Sequence, residues 1–442
     1  MSVSDSAEAG QAQTPMRRIL GNFGYLLRGR GLAAIMLLAA TAIMARALGP
    51  AEFGMVVLIH TYAVLVRGLL NVKQFLAIVR WGVPALDAGD HSTLRRLVSI
   101  CWRLDWLCCS AATVVALGLA PLLGPSMGMD PPQVMMLTAY SLVLLATGNR
   151  TAIGILRLFD RFDVLGWKET IGPAIRLVGV LVAWWLESPM VVYVGIFAFA
   201  FAVEEFYLGW FGRREYYRQV GMPPMDEGSS KARMKEFSGL RHFLWITYWQ
   251  SNVDLIPKHG SILLAGFLMG PAEAGLLRLA RQFSTLLSKP AGLIRQVVFP
   301  DLTRSWNQGN SDFKLIVTRT ALLAGGLGLF FVLAGHFFGE YLLRSLIGEE
   351  FVAAAPVLTL LLLASTFDLT AASLRSAAYA IGHAGRVLRV YALSAVVYVA
   401  LFVLCTLEMG LIGSGIAACA AAALPAIAMA DLLRKKAHGA AV

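Results

Sequence analysis

A six-residue motif occurs twice in this chain and restricts its fold more than any other sequence feature. The motif reads G-P-A-E-x-G and covers residues 49–54 and 270–275, an offset of 221 in a chain of 442 residues. Each copy follows a long apolar run and opens another. Because internal repeats are the signature of duplicated structural units, the motif predicts two homologous halves.

Long apolar segments recur throughout both halves, and the chain is 57% hydrophobic and only 15% charged. Helices of roughly 20 residues span a hydrocarbon core of about 30 Å, where lipid offers backbone groups no hydrogen-bond partner. A β-barrel is excluded, since its strands are about 10 residues long and alternate in polarity. The predicted spans are 31–47, 54–79, 97–122, 133–155, 166–186, 190–211, 242–268, 276–302, 318–338, 353–380, 387–407 and 410–433.

These spans predict an all-α polytopic membrane protein with about twelve transmembrane helices in two six-helix lobes. An even number of helices per half gives both repeats the same orientation, so a parallel repeat is expected around a central cavity. The only long polar stretch marks the boundary between the lobes. The predicted organisation is a cytoplasmic tail (1–28), an N-lobe (29–212), a cytoplasmic linker (213–240), a C-lobe (241–434) and a second tail (435–442).

Lysine and arginine are concentrated in alternate loops along the whole chain. The turns between them hold mainly acidic residues, with Arg344 as the only clear basic one. The positive-inside rule therefore predicts that both termini are cytoplasmic. It also accounts for the net charge of +11 without a nucleic-acid partner. The five cysteines all lie in apolar runs without metal-site spacing, so no metal or disulfide framework is indicated.

Three spans carry polar stripes at helical spacing. A charged side chain at the bilayer centre costs at least about 2.5–3.5 kcal/mol unless it faces a cavity or a partner. The stripes predict a shared cavity, with structural ion pairing as the alternative interpretation. They consist of His60, Arg67, Asn71 and Gln74 in the second span, Asp254 and Lys258 in the seventh, and Arg278, Arg281, Thr285 and Lys289 in the eighth.

Other charged residues within spans have simpler interpretations. Asp254 and Lys258 are four residues apart and can neutralise each other. Glu169 and Arg176, seven apart, share a helix face and can form a structural pair. One of the two glutamates at 204–205 is expected to pair with a basic neighbour or to be protonated. In the seventh span, proline and glycine at 257 and 260 predict a kink.

Enzymatic motifs are missing from the sequence. It contains no P-loop, no H-E-x-x-H and no G-x-S-x-G, and the turns opposite the basic loops are short. A non-enzymatic transporter without a cofactor or catalytic residues is therefore predicted. A membrane-embedded glycan polymerase or ligase stays open as a minor alternative from a different class.

Several segments resemble the oligosaccharide flippases of the polysaccharide-transport (Wzx-like) branch, in the superfamily that includes MATE exporters. In the first half they are A-L-G-P-A-E-F-G (47–54), L-L-N-V-K-Q (69–74) and I-V-R-W-G (78–82). In the second half they are G-F-L-M-G (266–270) and V-F-P-D-L-T-R (298–304). The similarity covers both lobes and agrees with the predicted number of spans.

The resemblance implies movement of a polyprenyl-diphosphate-linked oligosaccharide from the cytoplasmic to the periplasmic leaflet for surface polysaccharide synthesis. It implies alternating access around a cationic cavity lined by the first, second, seventh and eighth helices. Expected partners are membrane lipids, with a glycan polymerase and glycosyltransferases of the same pathway, and a monomer is expected. The resemblance implies substrate-binding roles for His60, Arg67, Asn71, Lys258, Arg281 and Lys289, and possible ion coupling at Asp254, Glu204 and Asp368.

The alternative function is a MATE-like exporter of organic cations coupled to protons or sodium ions. In that case Asp254, Asp368 or Glu204 would bind the substrate or a coupling ion. The charge of the cavity distinguishes the two functions, because a net positive cavity favours an anionic lipid-linked glycan and a net negative cavity favours a cation.

Overall fold

The computed structural model describes residues 15–221, 237–253, 255–285, 312–380 and 384–439, and every regular element in them is helical. The helices of the N-lobe run from residue 15 to residue 219. They are α1 (Pro15–Leu69), α2 (Gln74–Asp87), α3 (His91–Ser126), α4 (Pro131–Ser141), a 3-10 helix (Leu142–Thr147), α5 (Arg150–Leu158), α6 (Phe162–Trp185) and α7 (Met190–Gln219).

The C-lobe begins with a helix that is interrupted inside the apolar region. The order of its described elements is α8 (Leu240–Val253), a π-helical turn (Ile256–Gly260), α9 (Ser261–Met269), α10 (271–285), α11 (Asp312–Leu346), a 3-10 helix (Glu349–Ala354), α12 (Ala355–Ala380) and α13 (Ala384–Gly439). The π-helical turn lies at the kink predicted from the proline and glycine of this segment, and confirms it.

Glycines with positive φ separate successive spans at equivalent places in the two repeats. Gly49 has φ 69° and ψ 174°, and Gly270 has φ 103° and ψ 177°, so the two motif copies share one backbone conformation. Only glycine adopts this region without steric strain. Gly410, with φ 59°, divides α13 in the same way that Gly49 divides α1.

The described helices are consistent with the twelve predicted spans, the eighth only as far as residue 285. Six stretches are long and apolar enough to cross a membrane, and two of them, Gly31–Leu69 and Gly385–Leu432, each hold a pair of spans. The other four predicted spans correspond to α4 with α5, to α6, to α8 with α9 and to α10. The predicted all-α, two-lobe fold is confirmed.

Two predicted spans are broken where continuous helices were expected, so those two predictions are wrong. The second span ends at Leu69, and α2 starts a separate helix at Gln74. Gln74 is fully buried and donates a hydrogen bond to Asp105 of α3. This bond holds the start of α2 against α3. The fourth span is interrupted at Gly148 and Asn149, between the 3-10 helix and α5.

The two repeat motifs pack against each other where the lobes meet. A methyl group at Gly54 would overlap the carbonyl oxygen of Pro271, and one at Gly275 would lie 2.9 Å from the Cα of Gly54. Beside this contact, the rings of Phe53 and Phe351 meet edge to face with centroids 5.8 Å apart. Glycine therefore allows the backbones of the two lobes to touch at this end of the molecule.

The lobes also touch near Leu69, where α1 ends. The Tyr248 hydroxyl donates a 2.7 Å hydrogen bond to the carbonyl oxygen of Leu69, and the Leu255 side chain fills the space above Gly68. The largest cluster of buried apolar side chains draws on both lobes, for example Leu58 of α1 and Ile262 of α9. Contacts between the lobes are therefore present near both ends of the stretch of α1 from Gly54 to Leu69.

Candidate binding site between the lobes

A small polar pocket lies at the centre of the lobe interface, and we call it the interlobe pocket. Helices α1, α6 and α7 of the N-lobe and α10 of the C-lobe form its walls. Its volume is about 20 Å³. The lining residues are Leu37, Thr41, Met44, Phe53, Val57, His60, Thr61, Arg176, Phe197, Arg278 and Gln282.

Arg176 of α6 supplies one positive charge to the interlobe pocket. Its guanidinium carbon lies 4.7 Å from the centroid of the Phe197 ring, a cation–π arrangement that holds the group without neutralising it. The residue is 8% exposed, and its Nε–H has no hydrogen-bond partner among the described residues. A buried guanidinium held in this way keeps donors available for a ligand.

Arg278 of α10 brings a second positive charge to the same pocket from the other lobe. Within the described part of the chain, neither Arg176 nor Arg278 forms an ion pair with a carboxylate. No aspartate or glutamate is among the lining residues that the structure describes. Since arginine stays charged in proteins, the interlobe pocket has a net positive charge.

Neutral polar groups complete the interlobe pocket. The Nδ1 atom of His60 is 2.6 Å from the hydroxyl of Tyr140, and the imidazole meets the Phe197 ring edge to face at 5.4 Å. Across the interface, Nε2 of Gln282 donates a 3.0 Å hydrogen bond to the hydroxyl of Thr41. This bond joins α10 to α1, so the polar groups of the pocket also connect the two lobes.

The volume of the interlobe pocket limits what it can hold in the described state. About 20 Å³ is enough for roughly one water molecule and no more. Any larger ligand requires the lobes to separate along the contacts described above. The arginines would then face a wider cleft, with one arginine on each wall.

A larger cavity of about 290 Å³ lies within the C-lobe. Arg281 is fixed at its edge, because Nη2 donates a 2.9 Å hydrogen bond to the Tyr398 hydroxyl and Nη1 a 3.1 Å bond to the carbonyl oxygen of Lys258. Lys258 belongs to the π-helical turn, a type of helix distortion that is frequent at functional sites. The polar residues that line the cavity are Lys258, Arg281, Ser284, Thr285, Ser365, Asp368, Tyr391, Ser394 and Tyr398.

The N-lobe interior contains two ion pairs between adjacent glutamates of α7 and cations of other helices. Arg67 contacts Glu205 at 2.5 Å, with the two side chains 8% and 1% exposed. Lys168 contacts Glu204, also at 2.5 Å. The guanidinium of Arg67 additionally lies 4.8 Å from the centroid of the Phe201 ring. Arg67 and Lys168 are therefore each balanced by a carboxylate inside one lobe.

The residues predicted from the sequence are thus divided among three places. His60 lines the interlobe pocket, Arg67 and Glu204 lie in the N-lobe ion pairs, and Lys258, Arg281 and Asp368 line the C-lobe cavity. Asn71 lies in the short break between α1 and α2. Lys289 and Asp254 lie outside the described residues.

The sequence reasoning missed Arg176, Thr41 and Gln282 as pocket residues. The sequence allows Arg176 a structural pair with Glu169, but the structure places it against Phe197 and in the same pocket as Arg278. Its position near the middle of the predicted span 166–186 was the available signal, because a cation at that depth requires a special environment. Thr41 and Gln282 carry no charge, and no pattern distinguished them.

Comparison with known proteins identifies the family and the fold. A family model described as polysaccharide biosynthesis protein matches residues 19–306. The inner membrane protein YghQ of Escherichia coli (strain K12) is 27% identical over 347 residues, which cover 78% of this chain and 96% of that protein.

Solved structures with the same fold include a lipid flippase and a multidrug transporter. The lipid II flippase MurJ, in an inward closed conformation, gives a TM-score of 0.72 at 12% identity, over 92% of this chain and 87% of that one. A multidrug resistance MATE family transporter of the MOP superfamily, in an inward-facing conformation, gives a TM-score of 0.68 at 18% identity. The match covers 91% of this chain and 95% of that one.

These similarities confirm the resemblance that the sequence motifs indicated. The fold is the one that MurJ and MATE transporters share. Because the family model spans well over half of its length, this chain belongs to the polysaccharide biosynthesis protein family.

Proposed function

We propose that this protein is a flippase that moves a polyprenyl-diphosphate-linked oligosaccharide from the cytoplasmic to the periplasmic leaflet. The observation that carries the proposal is the meeting of Arg176 and Arg278, from different lobes, in a pocket whose described lining has no carboxylate. Membership of a polysaccharide biosynthesis family supports a glycan as the transported group. The positive charge supports an anionic carrier.

The chemistry of a diphosphate matches these two side chains. Guanidinium groups present forked N–H donors that bind phosphate oxygens in a bidentate manner, with stronger hydrogen bonds than neutral donors form. A diphosphate entering a low-dielectric cleft needs cations that are already present, since desolvating an unpaired anion is costly. One arginine on each lobe would let the headgroup bridge the cleft and favour closure around it.

The glycan would occupy the neighbouring C-lobe cavity. Ser284, Thr285, Ser365 and Ser394 bring hydroxyl groups to that cavity, and Arg281 of its wall lies one helical turn from Arg278 on α10. Sugar hydroxyls both donate and accept hydrogen bonds, as these side chains do. The diphosphate and the first sugars can therefore be held side by side along one helix.

Transport would proceed by rocking of the two lobes. The backbone contact of Gly54 with Pro271 closes one end, and the contacts of Tyr248 and Leu255 with the end of α1 close the other. Opening the two ends in turn gives alternating access without ATP hydrolysis. We place the protein in the bacterial inner membrane with both termini cytoplasmic, and we expect a glycan polymerase and glycosyltransferases as partners in the pathway.

An exporter of organic cations is the second candidate, because a multidrug transporter shares the fold. A cation entering the interlobe pocket would meet Arg176 and Arg278 and no described carboxylate. Coulomb repulsion in a low-dielectric site makes that unfavourable. The charge of the pocket therefore favours the flippase.

The test is a flipping assay in proteoliposomes containing a fluorescent polyprenyl-diphosphate oligosaccharide. Each of the variants Arg176→Gln and Arg278→Gln loses one charged hydrogen-bonding partner, which is worth about 1.5–3 kcal/mol. Each variant should therefore flip the lipid at least about tenfold more slowly than the wild type. Arg278→Lys should keep part of the activity, because it retains the charge but not the fork. Arg386→Gln, at an exposed arginine outside both cavities, is the matched control.

Two outcomes would overturn the proposal. One is wild-type flipping by both glutamine variants. The other is uptake of organic cations by the wild type, with no flipping of the lipid-linked glycan. The second outcome would assign the protein to the exporter class.

A further inference from the structure

A second concave surface lies on the outside of the N-lobe, far from the lobe interface. We call it the outer groove, and its volume is about 660 Å³. Helix α7 forms one wall, and the end of the 3-10 helix and α3 form the other. The side chains that define it are Trp106, Phe206, Trp210, Arg213, Arg214 and Tyr217.

The break in the fourth span lines one side of the outer groove. Gly148 packs closely on α3, because a methyl group there would lie 3.1 Å from the Cys109 sulfur and 3.8 Å from the Trp106 ring. Gly209 allows α7 to approach closely, because any side chain at this position would collide with Asn149. Asn149 in turn donates hydrogen bonds to the carbonyl oxygens of Ala146 and Glu205, which satisfies backbone groups at the break.

The wall contributed by α7 is a single helical face. Residues 206, 209, 210, 213, 214 and 217 recur at intervals of three and four, so they form one stripe along the helix. The stripe is about 16 Å long at 1.5 Å per residue. One leaflet of a hydrocarbon core has about the same depth, half of about 30 Å.

The apolar side chains of the outer groove are exposed. Trp106 is 52% exposed, Phe206 67% and Trp210 59%. Tyr217, at the other end, is also exposed and lies in the last turns of α7 before Gln219. Aromatic residues of this kind concentrate at membrane–water interfaces, where the ring is apolar and the polar atom reaches water.

The two arginines lie between the apolar part and Tyr217. Arg213 and Arg214 are both exposed, and neither forms an ion pair within the described ranges. The basic character of this end of α7 puts it at the cytoplasmic side by the positive-inside rule. Adjacent guanidinium groups at headgroup depth attract the phosphate of an anionic lipid.

We infer that the outer groove binds one anionic phospholipid of this leaflet. The acyl chain lies between Trp106, Phe206 and Trp210, and the phosphate is held by Arg213 and Arg214. The complementarity of charge at one end and of length along the stripe argues for a phospholipid rather than a soluble anion. The groove is on the outer face of one lobe, so this lipid is separate from the transported molecule.

Native mass spectrometry of the purified full-length protein tests the inference without substrate. Dioleoyl phosphatidylglycerol and dioleoyl phosphatidylcholine are titrated separately, because they share acyl chains and differ in net headgroup charge. We expect the wild type to retain one phosphatidylglycerol. In the double variant Arg213→Gln with Arg214→Gln, the affinity for phosphatidylglycerol should fall about 30-fold. That factor corresponds to the loss of two cations near an anionic headgroup, at about 1 kcal/mol each.

The matched control is the double variant Arg386→Gln with Arg389→Gln, which removes two exposed arginines from the C-lobe. It should retain the lipid as the wild type does. In addition, Trp210→Ala should weaken binding of both lipids. Trp185→Ala, at an 81% exposed tryptophan outside the groove, should not.

Three results would overturn the inference. Equal loss in both double variants would mean that the lipid is bound by overall charge. Equal retention of both lipids by the wild type would remove the role of the net negative charge of the headgroup. Displacement of the retained lipid by polyprenyl phosphate alone, and not by further phosphatidylglycerol, would assign the groove to the transported carrier instead.

Discussion

Buried cations are held in two different ways in this protein. Inside the N-lobe, Arg67 and Lys168 each contact a carboxylate at 2.5 Å, on adjacent residues of α7. Between the lobes, Arg176 lies against an aromatic face, and Arg278 shares its pocket without an ion pair to any described carboxylate.

In the proposed flippase, this difference separates a structural role from a binding role. A buried ion pair balances the two opposite charges within one lobe. An arginine held by a ring face keeps its charge and its donors, and it is stabilised only when an anion arrives. The paired cations lie within one lobe, whereas the unpaired ones lie between the two lobes.

The largest expected effect comes from breaking the N-lobe pair. Glu205→Ala leaves Arg67 buried without a carboxylate, which costs about 3–5 kcal/mol of stability. The double variant Arg67→Met with Glu205→Leu should restore stability, because no charge remains unpaired. Thermal unfolding in detergent measures both variants, together with their abundance in the membrane.

Glu204→Ala is the matched control for this prediction. Its partner Lys168 is more exposed, with 13% of the side chain accessible, so water can reach the freed charge and the loss should be smaller. If the double variant Arg67→Met with Glu205→Leu is as unstable as Glu205→Ala, Arg67 has a role besides pairing with Glu205.

A smaller effect is expected where the lobes touch. Gly54→Ala pushes a methyl group into the backbone of Pro271, and overpacking of this kind costs about 1–3 kcal/mol. The cost falls on the state with this end closed, so the population should shift about fivefold or more toward the open state. Labelling of Ala272→Cys with an impermeant thiol reagent, with the native cysteines replaced by serine, reports the opening.

Gly195→Ala serves as the comparison for Gly54→Ala. Gly195 is helical as well, and a methyl group there meets nothing within 4 Å. Labelling at position 272 should match the wild type in that background. Identical labelling in both backgrounds would rule out this contact as a gate.

The smallest effect on stability is expected at the unpaired cations themselves. Arg278→Gln leaves no carboxylate without a partner and relieves repulsion from Arg176, so unfolding free energy should change by less than about 1 kcal/mol or rise slightly. Thermal unfolding beside Glu205→Ala tests this prediction. A loss as large as that of Glu205→Ala would mean that Arg278 is a structural cation, and would remove the distinction between the two regions.

The sequence alone determined the repeat, the membrane-spanning character and the approximate limits of most spans. The length of an apolar segment is a local property, and the repeated motif at 49–54 and 270–275 can be read directly from the sequence. The same holds for the two glycines that begin the motifs, because their positive φ is a local requirement that glycine meets. The kink in the seventh span was predictable for the same reason.

Only the tertiary structure decided which buried cations are balanced. Arg67 and Arg176 look alike in sequence, since each is a basic residue near the middle of an apolar span. Glu205, the partner of Arg67, is 138 residues away, and the neighbour of Arg176 in the pocket belongs to the other lobe. Helical spacing fixes which residues share a face, but the charge of a site depends on what the opposing helices bring to it. That depends on how α1, α6, α7 and α10 pack, and packing is a property of the whole fold.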